Sequence, residues 1–315
     1  MSTADIRRVA VVGTGVIGAS WAANFLARGL EVIATDPAPG AEERLRRAVA
    51  AHWPALERLG LAPGASPDRL RFVATPEAAV EGAGFVQENG PERLEVKREL
   101  FRAMDAAAPA EAVLSSSSSF IPPSEVQAAC AHHPERVVLG HPFNPPHLIP
   151  LVEVVGGKAT SEAAVGRAMA FYAAIGKKPI RLRKEIRGHI ANRLQAALWR
   201  EAVFLLQEGV ADVADLDAAI AHGPGLRWAL LGPFLNLHLS GGEGGIEHLL
   251  SHIGPSIGAM WRELGEAELT PEAQAAIARG TRAELAALDE AEMLRQRDRL
   301  LLDLLRAKAE AAALP

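Results

Sequence analysis

The sequence predicts an α/β protein, with a doubly wound sheet in an N-terminal domain of residues 1–184 and an all-α C-terminal domain of residues 185–315. Three observations predict it. Val9-Ala10-Val11-Val12 runs directly into a glycine-rich turn and then a helical pattern. Apolar runs of strand length recur between helical patterns as far as Arg183. From about Gly188 only helical patterns follow.

Composition narrows the function classes. The chain is 49% hydrophobic and 23% charged, enough for a substantial core with an ordinary surface. A net charge of −5 gives no basic footprint for nucleic acid. No apolar run approaches the roughly 18 residues that a membrane helix needs, and Met1–Arg8 carries no leader-like apolar core. The single cysteine, Cys130, excludes an internal disulfide and fits a reducing compartment, so a cytoplasmic location is expected. Its setting, Ala-Ala-Cys-Ala-His-His, reads as a helix end rather than a nucleophile.

Val9–Val12 reads as a buried parallel strand. Gly13-Thr14-Gly15-Val16-Ile17-Gly18 follows at once, where strand meets helix. Gly13 allows the tight turn, Gly15 lets the backbone approach a pyrophosphate, and Gly18 lets the helix pack on the strand. Val16 and Ile17 lie inside this turn, and the helix N-terminus behind it attracts phosphate. Glu31–Thr35 is the second strand and ends at Asp36, placed for the adenosine ribose hydroxyls. The Asp36 charge repels a 2′-phosphate and no Arg immediately follows it, so this Rossmann-type opening predicts NAD rather than NADP.

Helical segments follow over 40–59, strands over Leu70–Val73 and Phe85–Glu88, and an amphipathic helix over 93–107. Val113-Leu114 leads into five serines, Ser115–Ser119. Such a run is usually a linker, but here it directly follows a strand, at whose carboxyl end ligands bind, and it reads as a site loop. Val137–Leu139 is a strand leading to His141-Pro142-Phe143-Asn144-Pro145-Pro146, and Leu151–Val155 is a strand carrying Glu153. A histidine titrates near neutral pH, and a carboxylate on its second ring nitrogen fixes the tautomer and stabilises the imidazolium. Residues 164–175 read as a helix and 178–183 as the last strand.

Within the C-terminal domain, Leu226–Phe234 sets Arg227 and Trp228 among apolar neighbours. Ser240–Gly245 reads as a flexible loop. His248 and His252 share a helix face, but no third ligand is evident and no metal is expected. The amphipathic stretch 270–313 is expected to pack on the domain or on a partner subunit.

Together these residues resemble the 3-hydroxyacyl-CoA dehydrogenase superfamily across nearly the whole chain. The glycine turn with Asp36 resembles the family's NAD fingerprint. Gln87–Glu92 with Lys97 resembles the segment along the cofactor's ribose and nicotinamide, which implies cofactor roles for Asn89, Glu92 and Lys97. The serine run resembles the family's serine segment, which implies Ser117 near the cofactor and Ser119 on the substrate. His141 and Glu153 resemble the catalytic dyad, with Asn144 beside it on the cofactor. Gly188-His189-Ile190-Ala191-Asn192-Arg193 resembles the family's G-F-x-x-N-R, which implies that Asn192 touches substrate. His189 stands where that pattern has Phe, and Ser117 where the acyl-CoA enzymes often carry Asn.

Within the superfamily the chain resembles the lambda-crystallin/L-gulonate 3-dehydrogenase branch and its near relative, L-carnitine dehydrogenase, above all in GPGLRWALLGP. The resemblance implies NAD-dependent oxidation of the 3-hydroxyl of a small free acid. In that reaction His141 is expected to act as base, Glu153 to orient it, Ser119 and Asn192 to hold the reacting oxygen, and Arg227 and Trp228 to bind substrate. Arginine offers a two-pronged partner for a carboxylate, which a thioester lacks. An L-3-hydroxyacyl-CoA dehydrogenase and a non-catalytic, crystallin-like NAD-binding protein are the alternatives. The resemblance and the helical tail also imply a homodimer formed through the C-terminal domain.

Overall fold

The computed structural model describes residues 6–314. Most of the segment on which the lack of a leader is read, Met1–Asp5, lies outside them. The chain divides into two compact units, Met1–Asn192 and Arg193–Pro315.

The first unit is built on one eight-stranded sheet with strands β1 (Arg8–Val12), β2 (Glu31–Thr35), β3 (Leu70–Phe72), β4 (Phe85–Glu88), β5 (Val113–Ser116), β6 (Val137–Pro142), β7 (Leu151–Gly156) and β8 (Lys178–Arg181). Their order is β3-β2-β1-β4-β5-β6-β7-β8. Strands β1 to β6 run parallel, β7 pairs antiparallel with β6, and β8 parallel with β7. Successive side chains of β1 alternate between the two sheet faces. Val9 and Val11 join a core with Trp21 and Phe25 of α1 (Val16–Ala27), Leu45 and Val49 of α2 (Ala41–Leu59), and Phe171 and Tyr172 of α6 (Glu162–Ala174). Ala10 and Val12 join a second core with Ala79 and Val80 of α3 (Pro76–Val80), Phe101 and Met104 of α4 (Leu94–Ala107), and Val126 of α5 (Pro123–Gln127). Both faces are therefore covered, which is why the strands read as continuous apolar runs. Phe85 stacks on Phe171 at 4.0 Å between centroids, and each such buried ring contributes roughly 1.5–3 kcal/mol.

Strand order reverses between β1 and β4, and ligands in open α/β sheets bind at that switch point. The turn after β1 crosses the turn after β4 there. Gly13 has φ +87°, and a Cβ on it would lie 2.8 Å from the Asn89 backbone. A Cβ on Gly18 would collide with the Gly13 carbonyl, whereas one on Gly15 would meet nothing within 4 Å.

The second unit is helical: most of α7 (Ala191–Gln207), then α8 (Val213–Ala221), α9 (Pro224–Trp228), α10 (Pro233–Ser240), α11 (Gly245–Met260), α12 (Pro271–Leu285) and α13 (Glu290–Glu310). Ser240–Gly245 corrects the expected flexible loop: Gly242–Gly244 form a one-turn 3-10 helix joining α10 to α11. Among the described residues no helix is long and apolar enough to cross a membrane.

Candidate active site

The antiparallel turn from β6 to β7 creates the central pair. Register sets His141 directly opposite Glu153, and their side chains meet with Nδ1 2.9 Å from Oε2. Both are buried, His141 at 5% and Glu153 at 0% exposure. The second carboxylate oxygen accepts N–H bonds from Ile190 at 2.8 Å and Ala191 at 3.0 Å. Burial opposes ionisation of Glu153, but the hydrogen bonds from His141, Ala191 and Ile190 outweigh it and hold the carboxyl below its ordinary range. An ionised Glu153 can only accept, so His141 Nδ1 carries the proton and Nε2 keeps its lone pair. That lone pair faces Ser119 Oγ at 3.1 Å. A chain Ser119–His141–Glu153 follows, suited to taking a proton from a hydroxyl placed at Nε2.

Asn192 lies in the first turn of α7, half-buried, directly after the two amides that hold Glu153. Asn144 is exposed, two residues beyond β6. Arg227 and Trp228 are exposed in α9 of the second unit.

The serine run holds five different partners, which local pattern could not reveal. Ser115 Oγ meets Tyr172 OH at 2.8 Å, Ser116 Oγ donates to Glu88 at 2.8 Å, and Ser117 Oγ donates to Asn89 Oδ1 at 2.7 Å. Ser118 Oγ donates to Glu92, and Ser119 reaches His141. A directional network underlies this loop. Tyr172 OH donates to Gln87 Oε1 at 2.6 Å, and Gln87 Nε2 donates to Ser117 Oγ at 2.7 Å and to the Gly140 carbonyl at 3.3 Å. Tyr172 was missed from sequence, and Gln87 was read only as the start of the cofactor segment. The available signal is the only tyrosine of the chain, a hydroxyl inside an apolar helix that must find a partner.

Lys97, expected at the cofactor, lies on α4 and is anchored inside the fold. It is 1% exposed, and its ammonium is committed to both oxygens of Glu88, at 2.8 and 3.0 Å, and to the Gly90 carbonyl at 3.2 Å. It therefore ties down the turn after β4 from inside. Glu92 is committed to the serine loop, where Oε1 also accepts from the amides of Phe120 at 2.9 Å and Ile121 at 3.2 Å. Cys130 is buried, and desolvation pushes its thiol up to about 12, which fits an inert residue. His248 and His252 stack on α11 at 6.0 Å, and among the described residues no third ligand joins them.

The switch-point crevice is a cavity of about 660 Å³ lined by Gly13, Gly15, Asp36, Ala38, Asn89 and Gly90 among others. The N-terminus of α1 has neither a side-chain cap nor an acid in its first turn, so its amides are available to an anion. Val16 is exposed there, whereas Ile17 packs on the core. Asp36 accepts from the Thr14 amide at 2.7 Å and the Ala38 amide at 2.9 Å, which fixes its carboxylate at the cavity edge. Free amides for a pyrophosphate and a fixed carboxylate for a ribose fit a dinucleotide.

Comparison with known proteins agrees with this geometry. Residues 8–186 match the family described as 3-hydroxyacyl-CoA dehydrogenase, NAD binding domain, and residues 188–276 match 3-hydroxyacyl-CoA dehydrogenase, C-terminal domain. The chain is 54% identical over 303 residues to L-carnitine dehydrogenase of Streptomyces griseus, covering 96% of this chain and 90% of the relative. It is 52% identical over 306 residues to the Streptomyces coelicolor protein of the same name, covering 97% and 96%. Among solved structures it is similar to 5-formyl-3-hydroxy-2-methylpyridine 4-carboxylic acid 5-dehydrogenase, an NAD-dependent dismutase, with TM-score 0.82, 30% identity, and coverage of 96% of this chain and 99% of that one.

Proposed function

The chain belongs to the 3-hydroxyacyl-CoA dehydrogenase family, and we propose that it oxidises the 3-hydroxyl of a small free acid of the L-carnitine type. It is an NAD-dependent oxidoreductase. The observation that carries the chemistry is the Ser119–His141–Glu153 chain, with spacings of 3.1 and 2.9 Å. The substrate class rests on near-full-length identity to relatives named L-carnitine dehydrogenase.

In this reading the substrate hydroxyl sits between Ser119 Oγ and His141 Nε2. His141 takes the hydroxyl proton, and Glu153 holds the ring and supports its charge. Ser119 and Asn192 hold the oxygen as it passes from alcohol to ketone. NAD, when bound, accepts the hydride from the same carbon. Gly13, Gly15, Val16 and Gly18 with the α1 amides would hold its pyrophosphate, and Asp36 its ribose. Ser117, Asn89 and Asn144 would contact the rest of the cofactor. Lys97 and Glu92 support the two turns that carry Asn89 and Ser119. Arg227 pairs with the free carboxylate, and among the described residues no acid pairs with its guanidinium. Trp228 offers an aromatic face to a quaternary ammonium.

A homodimer through the helical unit is part of the proposal. Phe234, Trp261, Leu239, Leu269, Trp199 and Leu300 are all exposed above 60%, and α7 buries no residue at all. Such surface calls for a partner. The cytoplasm is the proposed location, on the strength of one buried free cysteine.

The test is NADH formation by purified protein with L-carnitine, L-gulonate, L-3-hydroxybutyrate and L-3-hydroxybutyryl-CoA. Turnover of L-carnitine with none of the thioester is expected. Turnover of the thioester alone would return the protein to acyl-CoA chemistry. NAD binding with no turnover would favour a non-catalytic role.

A further inference from the structure

One buried histidine packs beside His141 and reaches the residue before Ser119, yet the proposed catalytic chain leaves it unused. His189 is 2% exposed. Its ring centroid lies 4.9 Å from that of His141, at 48° between planes. Its Nε2 lies 3.0 Å from the carbonyl oxygen of Ser118, the residue before Ser119. Its Nδ1 is buried and has no hydrogen-bond partner. Its backbone is also unusual: φ is +51°, directly after Gly188 at +77°. These left-handed residues precede Ile190 and Ala191, whose amides both point back at Glu153.

We propose that His189 is a positioning residue that couples the serine loop to the His141–Glu153 pair through a neutral, Nε2-protonated ring. The inference rests on the reading of His141 as the base. A carbonyl oxygen can only accept, so the hydrogen bond to Ser118 requires the proton on Nε2. A neutral ring has one N–H, which leaves Nδ1 as a bare lone pair. Protonating it would bury a second N–H with no acceptor beside a ring that must itself become positive. Desolvation holds the His189 pKa below its ordinary value; His141 on β6 adds to this, whereas the Ser118 hydrogen bond, Glu153 on β7 and Glu92 after β4 pull the other way. The side chain thus fixes Ser118, and through it the 3.1 Å approach of Ser119 to His141, while the backbone turn presents two amides to Glu153. Phenylalanine at this position would fill the space and leave the Ser118 carbonyl without a donor.

The test uses the full chain with His189→Phe, His189→Gln and His141→Gln, assayed with NAD and L-carnitine. A glutamine amide places an N–H near the position of Nε2. His189→Phe is expected to lower kcat about 10- to 100-fold through misplacement of Ser119, with KM for NAD within about twofold. His189→Gln is expected to recover most of that loss. A His189→Phe enzyme at wild-type kcat, or a His189→Gln enzyme as slow as His189→Phe, would overturn the proposal. A second measurement needs no active variant: nitrogen NMR of the 15N-histidine-labelled wild type, assigned against His189→Gln. A neutral Nε2–H ring from about pH 6 to about pH 8 is expected, and a charged ring or an Nδ1–H ring would overturn it. His141→Gln separates the two readings. If it turns over like wild type, the base assignment fails while the NMR result still decides His189.

Discussion

His141 and Glu153 are direct cross-strand partners on β6 and β7, with Nδ1 2.9 Å from Oε2. Because the other carboxylate oxygen takes two backbone amides, Glu153→Gln has only one workable arrangement. The amide oxygen must face Ile190 and Ala191, so the NH₂ faces His141 Nδ1. That puts the lone pair on Nδ1 and the proton on Nε2, which removes the base. A loss of about 10³–10⁴ in kcat is expected, with NAD affinity unchanged by fluorescence titration. A loss under about tenfold would mean that Glu153 does not set the tautomer. The depressed Glu153 pKa has a stability consequence as well. The ionised group contributes stability above its unfolded value of about 4.3 and loses it as pH falls through the lower folded value.

Arg227→Ala should raise KM for the free acid by about tenfold or more, the scale of a lost charge-assisted pair, while kcat and KM for NAD stay near wild type. Steady-state kinetics in both substrates checks this. An unchanged KM for the acid removes Arg227 from the site.

Much of the site was legible because its residues lie in contiguous motifs. The run Val9–Val12, the glycine turn and Asp36 fixed β1, α1 and β2, since each signal is local. His141 and Glu153 were legible because one antiparallel strand pair, twelve residues apart, carries both. Lys97 was read as a cofactor contact, and its partners inside the protein were not legible. Spacing places a lysine near a loop; only tertiary burial shows that Glu88 and Gly90 take its charge. Tyr172, 57 residues from Ser115 and 85 from Gln87, and His189, 71 residues from Ser118, act across distances that no periodicity encodes.

Lys177, also missed, packs at the base of the loop between the two dyad strands. Its ammonium donates to the Pro146 and Ile149 carbonyls and lies 5.2 Å from the Trp21 ring centre. Burial, with a smaller contribution from Arg28, brings its pKa down to about 7. Between about pH 7 and about pH 10.4 the unfolded chain therefore binds a proton that the folded chain does not. Stability should rise with pH across that window, by at most about 1.4 kcal/mol per pH unit, and the full penalty should remain below it. Urea midpoints of wild type and Lys177→Met are expected to diverge in slope across this window, with the variant flatter. Parallel curves would show that Lys177 titrates normally.

The most direct measurement is NADH formation by wild type and His141→Gln with the acid that wild type prefers, beside NAD affinity for both. The expected result is a fall in kcat of about 10²–10⁴, the range for loss of a general base, with NAD bound as in wild type. A His141→Gln enzyme that binds NAD and turns over near the wild-type rate would contradict the assignment of proton transfer to His141, and with it the role given to the whole Ser119–His141–Glu153 chain.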